Sequence, residues 1–214
     1  FSTLGGTPAQ DIGRWNGSTW SPLGSGMNSQ VRALAVLFNG DLVAGGNFTM
    51  AGGAPASRIA RWNGTSWSPF GSGMNDAVSS LVVLPNGDLV ASGGFTLAGG
   101  VPVSYIARWN GTSWSPLGSG IDDAANALVV LPNGDLVAGG YLNWAGGEFA
   151  SRVARWNGSS WSPLGSGLGG TMPYVVHALA VLPNRDLIAG GQFTLAGGAP
   201  ADNIARWNGS SWSP

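Results

Sequence analysis

The chain contains no cysteine and no lysine, and among its 214 residues there is one histidine and one glutamate. Without cysteine there is no disulfide framework and no thiolate metal site. All nine basic residues are arginine, against ten acidic ones, so the net charge is −1. A near-neutral chain without a basic stripe is a poor partner for nucleic acid and for an anionic lipid surface. No apolar run approaches the roughly 20 residues of a membrane helix, so no membrane insertion is expected. Charged residues are 9% of the chain, against about 25% in an ordinary soluble domain. A single His177 and a single Glu148 leave little material for acid–base chemistry, and no nucleophile motif accompanies them. The chain is therefore expected not to be an enzyme, and to carry no cofactor and no metal.

Glycine and tryptophan are abundant, at 37 and 11 residues, and they recur in order. The phrase Arg-Trp-Asn-Gly, two hydroxyl residues, then Trp-Ser-Pro starts at Arg14, Arg61, Arg108, Arg155 and Arg206. The first three intervals are 47 residues and the last is 51. A second phrase, Leu-Pro-Asn-Gly-Asp-Leu-Val-Ala, stands at Leu84–Ala91 and Leu131–Ala138, with variants at Leu37–Ala44 and Leu182–Ala189. Residues 48–94 and 95–141 match at 35 of 47 positions. The chain is one repeat array without a domain boundary: an outer hairpin at 1–26, then repeats 27–73, 74–120, 121–167 and 168–214.

Each repeat predicts four short strands. In residues 78–116, Val78–Leu84 is a β-branched apolar strand and Pro85-Asn86-Gly87 a turn. Asp88–Gly93 returns as a second strand, and Gly99-Gly100 marks a loop. Ile106–Asn110 is a third strand, Asn110-Gly111 opens a tight turn, and Trp114 starts the fourth. If Gly111-Thr112 form that turn, Trp109 and Trp114 face each other, a contribution of about 0.2–1 kcal/mol per pair. No stretch sustains helical periodicity. Four strands per repeat of 40–50 residues point to an all-β propeller.

The apolar strand ending in a glycine pair, followed by an aromatic residue and a tryptophan across a hairpin, resembles the kelch blade. The pairs are Gly45-Gly46, Gly93-Gly94, Gly139-Gly140 and Gly190-Gly191. The fuller repeat is also similar to secreted bacterial surface propellers and to the lumenal repeats of fungal cortical polarity markers. These resemblances imply an extracellular or cell-surface binding scaffold. Copper oxidases among kelch-like propellers use Cys, Tyr and His ligands, a set this chain cannot supply.

The array holds five outer hairpins and four inner ones, 4.5 repeats in all. It could be part of a larger propeller, close as four blades with a spare pair, or form five blades with a hairpin from a neighbouring chain. A bare strand edge is an assembly site, so self-association is expected if the chain exists as such.

Candidate sites are weighed against simpler readings. The Asn-Gly-Ser/Thr motifs at Asn16, Asn63, Asn110, Asn157 and Asn208, with Asn47-Phe48-Thr49, match N-glycan acceptors, but five of them fall at one hairpin turn. Asp41, Asp88, Asp135 and Asp186 supply one carboxylate per repeat, too few for calcium, and read as turn caps. The repeated Arg-Trp pairs read as packing or as sugar-stacking platforms. Departures from the repeat are more informative. Tyr141, Trp144, Glu148 and Phe149 replace small or aliphatic residues, an insertion lies in Gly169–Tyr174, and His177 stands where other repeats have Arg32, Ser79 and Asn126. Arg58, Tyr105 and Arg152 vary at one fixed position. The candidate ligand or partner site is therefore Trp144, Glu148, Phe149, Tyr174, His177, Arg58, Tyr105 and Arg152. The expected function is an extracellular structural or protein-interaction propeller that self-assembles through its incomplete blade. The alternative is a multivalent glycan-binding propeller.

Overall fold

A computed structural model describes residues 1–170 and 174–214. Every regular element in it is a β-strand. Four antiparallel four-stranded sheets form the blades. Blade 1 comprises Val31–Val36, Leu42–Gly46, Ile59–Trp62 and Trp67–Pro69. Blade 2 comprises Val78–Val83, Leu89–Gly93, Ile106–Trp109 and Trp114–Pro116. Blade 3 comprises Ala125–Val130, Leu136–Gly140, Val153–Trp156 and Trp161–Pro163. Blade 4 comprises Val175–Val181, Leu187–Gln192, Ile204–Trp207 and Trp212–Ser213. Before them, Gly13–Trp15 and Trp20–Pro22 pair as a half-blade of two strands.

The strands within a blade alternate in direction, which sorts the connections onto two faces. The Pro-Asn-Gly and Trp-Asn-Gly turns lie on one, the turn face. On the other, the hairpin face, lie the links from second to third strand and from blade to blade. The glycine pairs expected as loops close small two-stranded hairpins there, such as Leu97–Ala98 with Val101–Pro102. Gly99 and Gly100 both have positive φ, which L side chains rarely adopt and which draws the chain into a tight turn.

The first strands of blades 1 to 4 lie against one another in order, and no comparable packing joins blade 4 to blade 1 among the described residues. The chain is thus an open arc of four blades and a half-blade. Its core is divided among four clusters, one at each junction between neighbouring blades. Aliphatic and aromatic side chains from facing sheets interdigitate there, as nearest-neighbour packing in a repeat protein requires.

Two devices fasten the junctions, the first at three of the four. The fourth-strand tryptophan is buried, and its indole Nε1 donates to a carbonyl of the preceding blade. Trp67 donates to Leu23 at 2.8 Å, Trp161 to Leu117 at 2.9 Å and Trp212 to Leu164 at 2.9 Å. The exception is Trp114, whose buried Nε1 has no partner where Phe70 replaces that leucine. Second, the third-strand tryptophan lies against a glycine of the previous blade: a Cβ on Gly118 would sit 2.9 Å from the Trp156 ring.

Candidate functional site

The turn face is built alike in every blade. Trp109 and Trp114 are register partners with ring centroids 5.5 Å apart, as the Asn-Gly turn predicts. In that turn Asn110 Oδ1 accepts hydrogen bonds from the Thr112 N–H at 3.0 Å and the Ser113 N–H at 3.0 Å. Asn16, Asn63, Asn157 and Asn208 do the same. These asparagines therefore have a turn-forming role whether or not they carry a glycan.

Asp88 also serves its turn: its N–H donates to Asn86 Oδ1 and its carboxylate accepts from Asn86 Nδ2. It has a further role that the sequence did not reveal. The repeated Asp faces the third-strand Arg of its own blade, at 3.2 Å for Asp41–Arg61, 3.7 Å for Asp88–Arg108, 3.7 Å for Asp135–Arg155 and 2.6 Å for Asp186–Arg206. These pairs join residues about 20 apart in sequence across the hairpin linking second and third strands. The signal for them was the register: Val90 pairs with Arg108 and Leu89 with Trp109, which puts Asp88 beside the arginine's end.

At each junction the turn face opens a crevice between two blades. One, of about 490 Å³, is lined by Asn39 and Arg61 of blade 1 and Trp109 and Gly111 of blade 2. Equivalent crevices use Arg14 with Trp62, at about 530 Å³, and Arg108 with Trp156, at about 280 Å³. The last, of about 550 Å³, uses Arg155 with Trp207. The chain thus presents four copies of one arrangement: a guanidinium, an asparagine turn and a half-buried indole.

The hairpin face carries the residues that depart from the repeat. Trp144 and Phe149 are register partners in the small hairpin of blade 3, exposed, with ring centroids 5.5 Å apart and planes at 77°. The hairpin is held by Asp122, whose Oδ1 accepts from the Asn143 and Trp144 N–H groups at 2.8 Å each. Glu148 is exposed on the same hairpin, opposite Ala145.

Arg152 and Tyr174 are brought together. The guanidinium carbon lies 4.2 Å from the Tyr174 ring centroid, a cation–π contact, and Nη1 donates to the Tyr141 carbonyl. Arg152 is buried and its Nε has no partner. Residues 171–173 of the insertion lie outside the described residues.

Arg58 and Tyr105 occupy the same position as Arg152 in blades 1 and 2, so these three repeat around the arc instead of converging. All three are in the left-handed region, with φ of 68°, 60° and 74°, and so are Asp11 and Asn203 at 59° and 65°. The backbone therefore sets one constraint that five different side chains meet, and Asp and Asn, the types that tolerate αL, were its clue. Arg58 Nη1 donates to the Asn47 carbonyl, as Arg152 does to Tyr141. Tyr105 packs against the core between blades 2 and 3.

His177 is exposed at a β-bulge, where the register of the first strand shifts between Val176 and Ala178. Arg32, Ser79 and Asn126 sit at the same bulge in the other blades. Asn126 Nδ2 reaches across to the Val176 carbonyl at 3.3 Å.

No protein-family model matches the chain. No curated protein matches it in sequence either. Solved structures do match in shape. The WD40 propeller domain of Doa1 aligns with a TM-score of 0.54 at 19% identity, over 87% of this chain and 51% of that one. YCF48 bound to D1 peptide aligns at 0.52 and 17%, over 92% and 57%. The virginiamycin B lyase of Staphylococcus aureus aligns at 0.54 and 13%, over 86% and 54%. The chain thus spans little more than half of each of these structures. At such identities the likeness carries the fold alone: this chain is a β-propeller array built of four-stranded blades.

Proposed function

We propose that the chain is a non-enzymatic, extracellular or cell-surface propeller that acts as a structural and protein-interaction module, docking a protein or peptide on its hairpin face at Trp144 and Phe149. The observation that carries this is the exposed, edge-to-face aromatic pair on a hairpin that Asp122 fixes in place. The other blades place Met50 with Pro55, Leu97 with Pro102 and Leu195 with Pro200 there. Large rigid aromatic side chains lose little entropy on docking and dominate interface energetics. A peptide is recorded on YCF48, a propeller of similar fold. The absence of lysine, the Ser/Thr/Asn-rich turns and the resemblance to surface repeats support an external location. The test is selection from a displayed peptide library against the chain and its Trp144→Ser/Phe149→Ser variant. Peptides that bind the first and not the second support the reading; selection indifferent to the two substitutions refutes it.

The four turn-face crevices favour a second reading, multivalent recognition of a neutral glycan. Each offers an indole edge with polar neighbours, and weak sites on one scaffold gain from avidity. Titration with neutral oligosaccharides should shift tryptophan emission under this reading. Self-association would pair sheet edges: the fourth strand of each blade and strand Gly13–Trp15 each have a partner strand on one side alone among the described residues.

A further inference from the structure

One of the four turn-face crevices departs from the other three. It lies between blades 1 and 2, each a complete four-stranded sheet. Two positions on its wall have become phenylalanine. Phe38 stands where the other inner turns have Pro85, Pro132 and Pro183, and Phe70 where the other outer hairpins are followed by Leu23, Leu117 and Leu164. Both line the same space of about 490 Å³, together with Trp109 and Arg61. The Phe38 ring reaches across the junction to Gly87, 3.5 Å from where a Cβ on that glycine would stand, and is 73% exposed. The Phe70 ring is buried behind Trp109, with centroids 5.0 Å apart. Neither change serves the stability of the fold. Phe38 puts a ring into solvent at a position where proline would preset the turn. Phe70 stands at the junction where Trp114 Nε1 is buried without an acceptor, and a buried donor without a partner is a cost to the folded state.

We infer that this crevice is a binding site for a small neutral aromatic compound bearing a hydrogen-bond acceptor, its ring against Phe38 and Trp109 and its acceptor on Arg61. The volume falls in the range of about 300–1,000 Å³ that small-molecule sites occupy, and aromatic walls with a few polar groups are their usual lining. Aromatic side chains favour a flat ring, which they meet offset or edge to face. The charge balance selects a neutral one. Arg61 is the one charged residue among those that line the space, and Asp41 already neutralises it. That carboxylate accepts from Asn39 Nδ2 at 2.8 Å and faces Arg61 Nε at 3.2 Å. An anion would meet Asp41 and a cation would meet Arg61. The guanidinium still carries four further N–H donors, enough to hold a carbonyl or hydroxyl oxygen. The other crevices have proline and leucine at the two positions, so they lack the second aromatic wall. This site is separate from Trp144 and Phe149 and stands without them.

The test uses the full 214-residue chain and Prodan, a neutral naphthalene ketone whose emission moves to the blue in apolar surroundings. The expected result is saturable one-to-one binding with blue-shifted emission. Phe38→Pro and Phe70→Leu install the residues of the other repeats, and each should bind Prodan about tenfold more weakly, as the loss of one aromatic contact implies. Their circular dichroism should stay that of the parent. Phe38→Ser, which leaves the backbone unconstrained, should weaken binding as Phe38→Pro does and covers the case in which the proline disturbs the turn. 2-Acetylnaphthalene should displace Prodan, and 2-naphthoate, its anionic counterpart, should do so about tenfold less effectively. Absence of binding, parental affinity in the Phe38 and Phe70 variants, equal displacement by 2-naphthoate, or displacement by a neutral oligosaccharide would each overturn the inference.

Discussion

One substitution made at two equivalent positions should have unequal consequences. Trp161 and Trp114 are both buried fourth-strand tryptophans, each facing a third-strand partner at 5.5 Å. Replacing either by phenylalanine leaves a comparable void, so that term largely cancels in the comparison. The polar terms do not cancel. Trp161 Nε1 donates to Leu117, so Trp161→Phe loses a hydrogen bond with a net value of about 0.5–1.5 kcal/mol. Leu117 keeps its bond from the Gly120 N–H, so its carbonyl is not orphaned. Trp114 Nε1 is buried with no acceptor, a burden of about 1–3 kcal/mol that Trp114→Phe removes. The two variants should therefore differ by about 1.5–4.5 kcal/mol, with Trp161→Phe the less stable. Urea unfolding followed by far-ultraviolet circular dichroism measures this, provided both variants keep the same slope. Repeat arrays can lose two-state behaviour, and a changed slope would expose it. A Trp114→Phe variant that loses as much stability as Trp161→Phe would refute the reasoning.

The open arc yields further pairs. A Cβ on Gly139 would lie 2.7 Å from Val176 Cγ1, whereas one on Gly190 meets nothing. Gly139→Ala should therefore cost about 1–3 kcal/mol by overpacking, and Gly190→Ala should fall within about 0.5 kcal/mol of the parent; thermal melts distinguish the two. Leu81→Ala should cost about 2–5 kcal/mol as a core truncation, while Leu34→Ala, at an exposed position, should cost under about 0.5 kcal/mol. The Asp135–Arg155 pair, 3.7 Å apart with an arginine 43% exposed, should contribute less than about 1 kcal/mol. Arg155→Gln should accordingly shift the urea midpoint only slightly, and that shift should shrink further in high salt.

Much of the fold was legible because its instructions are local and repeated. Asn110-Gly111 sets a turn, and the turn sets Trp109 against Trp114. Pro85-Asn86-Gly87 sets the turn between the first and second strands. What was not legible depends on register between segments. The Asp88–Arg108 pair needs the pairing of second and third strands before it can be seen. The positive φ of Arg58, Tyr105 and Arg152 is written only in the Asp11 and Asn203 found at the same place. The candidate site was legible as a set of departures, but its geometry was not. Trp144 and Phe149 meet as a pair, Arg152 meets Tyr174, and Arg58 and Tyr105 belong to other blades.

Departures from the repeat fall into two kinds, and the difference bears on function. Inside the junctions two of them are compensated, while Phe70 leaves the buried Trp114 Nε1 without a partner. Ser92 replaces a glycine where Ala125 replaces a valine, and the Ser92 hydroxyl donates to the Ala125 carbonyl at 2.8 Å. Gly13 replaces an alanine where Leu4 replaces another, and Leu4 Cδ1 lies 1.9 Å from where a Cβ on Gly13 would be. Volume added on one side is removed on the other, as a close-packed interior demands. The hairpin of blade 3 breaks that rule. Trp144 stands where the neighbours have Met or Leu, and Phe149 where they have Pro, so both positions gain volume and nothing nearby gives it up. The added surface stays in solvent. Packing therefore gives no account of these two side chains, whereas a partner that covers them would, and this is why the hairpin of blade 3, more than the repeat-invariant tryptophans, is where binding should first be sought.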